Sequence, residues 1–249
     1  MNVLITGATA GFGLAITRRF IQDGARVIAT GRRTERLEAM RAELGERLLP
    51  VTLDITDREA VERAVRALPA EFAEVDVLVN NAGLALGLDL AQSARVEDWD
   101  TMVDTNVKGL LYCTHAVLPG MVARNRGHIV NMGSIAAEFP YPGGNVYGAT
   151  KAFVHQFSLN LRADLHGTAV RVTDIEPGLV GGTEFSNVRF KGDEARAASP
   201  YANTQPLTPE DIADTVHWVT TRPAHVNINI VSLMPVVQSF GPLPIKRQG

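Results

Sequence analysis

Tyr147-Gly148-Ala149-Thr150-Lys151 sets a phenol and an ammonium group at i and i+4, so that on a helix they share one face. A free tyrosine titrates near ~10 and a free lysine near ~10.4. A cation beside the phenol favours phenolate and makes the phenol a better proton donor near neutral pH. Alone, the spacing is as readily an ordinary surface pair. Two more residues supply a setting. Ser134, in Asn131-Met132-Gly133-Ser134, follows an apolar run at a strand's carboxyl end, where α/β sheets carry their sites. Asn106, in Asp104-Thr105-Asn106-Val107-Lys108-Gly109, lies in a helical pattern that neither asparagine nor glycine favours.

The run Thr6-Gly7-Ala8-Thr9-Ala10-Gly11-Phe12-Gly13 links the first strand to the first helix. Glycines there permit a tight turn and a close backbone approach, and helix N–H groups attract a pyrophosphate. At the end of the second strand, where an acid would hold a ribose 2′-hydroxyl, the chain reads Ala29-Thr30-Gly31-Arg32-Arg33. Two guanidiniums suit a 2′-phosphate, whereas cations at a helix start oppose its dipole and need another reason. NADP(H) is therefore the expected cofactor. Asp54 either contacts an adenine amino group or caps the turn into Thr56-Asp57. Asn80-Asn81-Ala82-Gly83 closes the fourth strand with small residues that would let a cofactor lie against the backbone.

Positioning these groups requires alternating strands and helices. Short aliphatic runs predict strands at Val3–Thr6, Arg26–Thr30, Leu49–Asp54, Val75–Asn80, His128–Met132, Val170–Ile175 and Asn227–Leu233. Helical patterns fall near Gly13–Gly24, Glu35–Leu44, Arg58–Leu68, Val96–Leu118, Tyr147–His166 and Pro209–Thr221. Most strands are continuously apolar, as in a parallel sheet covered on both faces. Thr208-Pro209-Glu210-Asp211 reads as a helix start. The irregular stretch of about 176–207 reads as a lid or binding loop. The tail, about 235–249, is expected to be extended; it either crosses onto another subunit or frays.

The 249 residues, 45% hydrophobic, fill one α/β domain spanning 1–249. A net charge of −3 gives no field for nucleic acid or anionic lipid, and no apolar run reaches the ~20 residues of a membrane span. The single cysteine, Cys113, suits a reducing compartment, and no basic leader precedes the first strand, so the cytoplasm is expected. His115, His155 and His166 lack ligand spacing with acids, so no metal is expected. Cys113, Trp99 and Trp218 read as packing residues. Phe153, Phe157, Leu161 and Leu165 form a stripe for the core or a subunit interface.

Taken together, Thr6–Gly13, Asn80–Gly83, Asn106, Ser134, Tyr147 with Lys151, and Pro177-Gly178 resemble the short-chain dehydrogenase/reductase family over essentially the whole chain. That resemblance implies a Rossmann fold with a seven-stranded parallel sheet in order 3-2-1-4-5-6-7 and an oligomer, commonly a tetramer. The runs Asn81–Gly87, Gly143–Phe153 and Thr173–Ser186 are similar to bacterial NADP-dependent 3-hydroxy acid dehydrogenases, which act on serine, allo-threonine and 3-hydroxypropionate and reduce malonic semialdehyde. It implies that Ser134 binds the reacting oxygen, Tyr147 exchanges the proton, Lys151 assists and holds the nicotinamide ribose, and Asn106 anchors a water. Ile55, Pro177, Gly178, Val180 and Thr183 join the cofactor positions, and Asn145 the substrate positions. A substrate carboxylate calls for a cation, and Arg189 and Lys191 are candidates, unless they are solvated loop charges. Two other readings are a 3-oxoacyl or general carbonyl reductase, which wants a more apolar loop, and a non-catalytic NADP(H)-sensing module, which needs no proton donor.

Overall fold

The computed structural model describes residues 1–241. Seven strands form one all-parallel sheet in the order β3-β2-β1-β4-β5-β6-β7. They are β1 (Asn2–Ile5), β2 (Arg26–Gly31), β3 (Leu48–Thr52), β4 (Val77–Asn80), β5 (Gly127–Met132), β6 (Val170–Pro177) and β7 (Ile230–Leu233). β7 begins later than expected because Asn227 contributes its side chain to the ladder: Oδ1 accepts from Val172 N and Nδ2 donates to Val172 O.

The crossover helices are α1 (Gly11–Gln22), α2 (Thr34–Leu44), α3 (Arg58–Arg66), α4 (Ala70–Ala73), α5 (Val96–Val103), α6 (Leu110–Ala123), α7 (Asn145–Asp164), α8 (Phe185–Arg189), α9 (Glu194–Ala198) and α10 (Pro209–Thr220). The capping box at Thr208 and Asp211 starts α10 as read from sequence. Apolar cores fill both faces of the sheet: Ile16, Phe20, Ile212 and Val216 on one side, Val61, Val117, Met121 and Leu161 on the other. Cys113 is buried, whereas Trp218 is 47% exposed and carries the Arg222 guanidinium over its ring, so it is not a core residue. Phe153 and Phe157 stack on each other, half-buried, along α7.

Three expectations change. The single helix expected over Val96–Leu118 bulges into a π-turn at Asp104–Gly109. The stretch of about 176–207 folds into α8, α9 and a short 3₁₀ turn rather than an open loop. The described part of the tail is not extended: Gln238 turns back on Pro235 and accepts from Leu179 N, and Phe240 packs on Phe139. The remainder of that tail, with Pro242 and Pro244, lies outside the described residues. No described helix is long and apolar enough to cross a membrane.

Candidate active site

One cleft of about 920 Å³ opens at the carboxyl edge of the sheet. Its floor is the turn after β1. Gly7 and Gly11 take positive φ (66° and 50°), which L side chains rarely adopt. Gly13 has no room for a side chain, since a Cβ would stand 2.3 Å from Gly7 O and 2.7 Å from Asn81 Nδ2. Asn81 holds the turn by donating to Thr6 O and Gly7 O, and Thr6 Oγ1 accepts from Asn81 N and Ala82 N. The Ala10 cap makes no side-chain bond and no acid enters the first turn of α1, so its N–H groups are open to an anion. This cradle fits a dinucleotide pyrophosphate. The expected cofactor positions line the cleft, except Ala8 and Gly13, which shape the turn from behind.

At the end of β2 the two arginines differ. Arg33 is engaged: Nε and Nη2 donate to Thr9 Oγ1 at 3.1 and 2.8 Å, and Nη1 pairs with Glu184 at 2.7 Å. Arg36, which sequence reasoning missed, pairs with the other Glu184 oxygen at 2.7 Å. Against the cost of burial, hydrogen bonds from Arg36 and Arg33 hold the Glu184 carboxyl below the usual carboxylate range. Arg32 lines the cleft and makes no hydrogen bond or ion pair among the described residues. Asp54 also lines the cleft, while its Oδ1 accepts from Thr56 N and Oγ1, so the cap reading holds.

At the other end of the cleft, α7 carries Tyr147 and Lys151 over the β5 terminus. Lys151 Nζ donates to Met132 O at 2.7 Å and lies 5.8 Å from the Tyr147 ring centroid. Burial pushes Tyr147 up to about 12, opposed by a hydrogen bond with Ser134 and by the Arg189 charge. Burial lowers Lys151 to about 8, against the charge of Asp174. Ser134 is extended and its Oγ accepts from Ala136 N at 3.1 Å.

Asn106 sits beneath the cleft, 2% exposed. Its Oδ1 accepts from Leu84 N, and its Nδ2 donates to Leu84 O and Thr150 Oγ1, tying the π-turn to the segment after β4. Gly109, in the same turn, is glycine because a Cβ would meet Ile55 Cδ1 at 2.5 Å. Such bulges recur at functional sites.

The candidate cations separate. Lys191 turns away to Asp98 at 2.7 Å. Arg189 points into the cleft, its Cζ 5.6 Å from the Tyr147 ring centroid; Nε donates to Gly87 O and Nη2 to Tyr141 Oη. Its Nη1 keeps no partner among the described residues. Asn145 is not in the cleft: Oδ1 accepts from Trp99 Nε1 and Nδ2 donates to Asp89 O, so it braces the loop before α5. Tyr141 and Phe185, which meets the Tyr147 ring edge-on at 5.7 Å, are lining residues the sequence did not disclose. Behind Lys151 the fold also gathers Glu138, His155 and Glu176, with polar atoms all within 4.8 Å of one another.

A parallel sheet of this order with its polar groups at the carboxyl edge defines a nucleotide-dependent dehydrogenase fold, and the chain matches the short chain dehydrogenase family over residues 1–194. The protein belongs to that family. It is 67% identical over 247 residues to the NADP-dependent 3-hydroxy acid dehydrogenase YdfG of Salmonella typhi, covering 99% of this chain and 100% of that one. It is 53% identical over 247 residues to the serine 3-dehydrogenase of Agrobacterium fabrum, covering 99% and 98%. The closed form of a serine dehydrogenase complexed with NADP+ superposes with a TM-score of 0.99 at 66% identity, covering 100% of both chains.

Proposed function

We propose that the protein is an NADP-dependent dehydrogenase of small 3-hydroxy acids, acting on L-serine, L-allo-threonine or 3-hydroxypropionate and, in reverse, on malonic semialdehyde. The observation that carries the substrate class is Arg189, which lines the same cleft as Tyr147 and Ser134 and whose Nη1 has no partner among the described residues. A carboxylate held there presents the hydroxyl two carbons away to the phenol. The matched relatives named for 3-hydroxy acids and serine support the same class.

NADP(H), when bound, takes or supplies the hydride. The glycine turn at Gly7–Gly13 cradles its pyrophosphate, and Arg32 with Arg33 accounts for the 2′-phosphate. Ser134 hydrogen-bonds the reacting oxygen and Tyr147 removes or returns its proton. Lys151 provides the positive charge beside the phenol and holds the nicotinamide ribose. Asn106 fixes the π-turn and anchors the water through which the proton is exchanged. A module that only senses NADP(H) needs neither Tyr147 nor Ser134, and a cleft bearing an arginine over the phenol does not suit a long acyl chain. The stacked Phe153–Phe157 pair and exposed Trp218 suit subunit interfaces, which the expected homotetramer would need, and a lone buried cysteine supports a cytoplasmic setting.

A steady-state screen of L-serine, L-allo-threonine, D-threonine, 3-hydroxypropionate and malonic semialdehyde, with NADP and NAD side by side, tests this reading. Turnover confined to uncharged carbonyls would overturn the substrate class. Tyr147→Phe should lose ~10²–10⁴-fold in kcat while still binding cofactor, and retention of most activity would remove Tyr147 from the chemistry.

A further inference from the structure

The polar line on α7 does not end at Lys151. His155 continues the same face at i+8 from Tyr147, over β6, where Asp174 and Glu176 stand at alternate positions on one side of the strand. Both acids are buried, 0% and 1% exposed. Neither Asp174 oxygen has a hydrogen-bond partner among the described residues. Oδ1 packs on Gly133, where a Cβ would stand only 2.4 Å from it. Gly133 follows Met132, whose carbonyl takes the Lys151 ammonium. On the other side, Glu176 Oε1 lies 2.7 Å from His155 Nδ1, a hydrogen-bond length, and Asp174 Oδ2 lies 3.8 Å from the same nitrogen. Glu138, exposed, is the further titratable group beside His155 and Glu176 among the described residues; β7 contributes Ser232 opposite Glu176.

Two buried carboxyls that flank one imidazole nitrogen, at 2.7 and 3.8 Å, resist ionising together. Burial and the Glu176 charge push Asp174 up to about 8. Near neutral pH Asp174 thus keeps its proton, and Lys151 is the buried cation one peptide unit away, on Met132 O beside the Gly133 that packs on Asp174.

We propose that Asp174 and Glu176 are positioning residues for the reaction: a proton-sharing carboxyl pair, clasped by His155, that supplies the single counter-charge keeping the buried Lys151 ammonium charged behind Tyr147. The proposal rests on the role assigned above to Lys151. Because the charge is shared, either acid alone sustains it, and only neutralising both removes it.

The test is the pH profile of kcat/KM for the best substrate of the panel, in the wild type, Asp174→Asn, Glu176→Gln, the double variant and Lys151→Met. Each single variant should move the limbs by less than about half a pH unit, since the remaining carboxyl ionises. The double variant should drop its alkaline limb, which reports loss of the lysine proton, by about one unit or more, and approach Lys151→Met in its maximum. Shifts that simply add between the singles, or an unmoved limb in the double variant, overturn the proposal. If Lys151→Met itself leaves the profile unmoved, the role of Lys151 fails and the proposal fails with it. Infrared difference spectra provide a readout that does not require the double variant to fold. A protonated-carboxyl stretch should persist at neutral pH in the wild type and vanish in each single variant; its absence from the wild type overturns the shared proton.

Discussion

Arg33 and Glu184 meet across the mouth of the cleft, Nη1 to Oε2 at 2.7 Å, while Arg36 holds the other oxygen at the same distance. The residue that opens α8 therefore sets a carboxylate against a guanidinium expected to face a 2′-phosphate. A half-exposed anion so placed opposes a second anion by about 1 kcal/mol. Glu184→Gln should tighten NADP+ by ~3–10-fold at low salt and change NAD+ less than about twofold, as measured by cofactor fluorescence titration. Weaker binding of both cofactors would instead make Glu184 a latch for the helical segment.

Arg32, without a partner among the described residues while Arg33 is engaged, should carry most of the discrimination between cofactors. A hydrogen bond to a charged group is worth ~1.5–3 kcal/mol, so Arg32→Ala should raise the NADP+ Kd by ~10–100-fold. NAD+ should be nearly unaffected; parallel losses for both cofactors would count against a phosphate contact.

Arg189→Ala should raise KM for L-serine by ~10–100-fold and leave an uncharged secondary alcohol within a few-fold. Arg189→Lys should recover only part of the loss, because a point charge lacks the planar fork that also reaches Gly87 O and Tyr141 Oη. Equal effects on charged and uncharged substrates would exclude a carboxylate contact.

His128 lies in β5, 1% exposed, with Nε2 2.7 Å from Thr173 Oγ1. Thr173 donates its own proton to Ile228 O, which assigns the proton on the imidazole to Nε2 and leaves Nδ1 a buried acceptor without a partner among the described residues. Burial, with the Arg171 charge, lowers its pKa to about 3. Below about pH 6.5 the unfolded chain binds a proton there that the folded chain does not, so stability falls as pH falls from about 6.5 toward 3. The loss reaches at most about 1.4 kcal/mol per pH unit, or some ~2–4 °C in Tm per kcal/mol for a chain this long. His128→Val should flatten the acid side of a Tm-against-pH plot by that amount, and an unchanged slope would place the acid sensitivity elsewhere.

The strands were legible because most are continuous apolar runs, and α10 because Thr208, Pro209 and Asp211 carry their cap within four residues. What escaped depends on partners remote in sequence. The π-turn at Asn106 exists because Leu84, 22 residues away, offers its backbone to the amide. Arg189 and Lys191 stand two residues apart, yet Gly87 and Tyr141 hold one in the cleft while Asp98 draws the other out. Asn145 reads as a substrate ligand only until Trp99 and Asp89 are seen to occupy it. Asp174 fell within the expected strand and Glu176 just beyond it, and their meaning depends on His155 and Lys151 from another element.

The fold-back of the chain end has a practical side. Gln238 is bound to Leu179 N, and Phe240 and Gly241 border the cleft, whereas Met1, 47% exposed, begins at the amino edge of the sheet. Residues 238–241 thus form one jamb of the opening, and a smaller side chain in place of Phe240 would widen it on the Phe139 side.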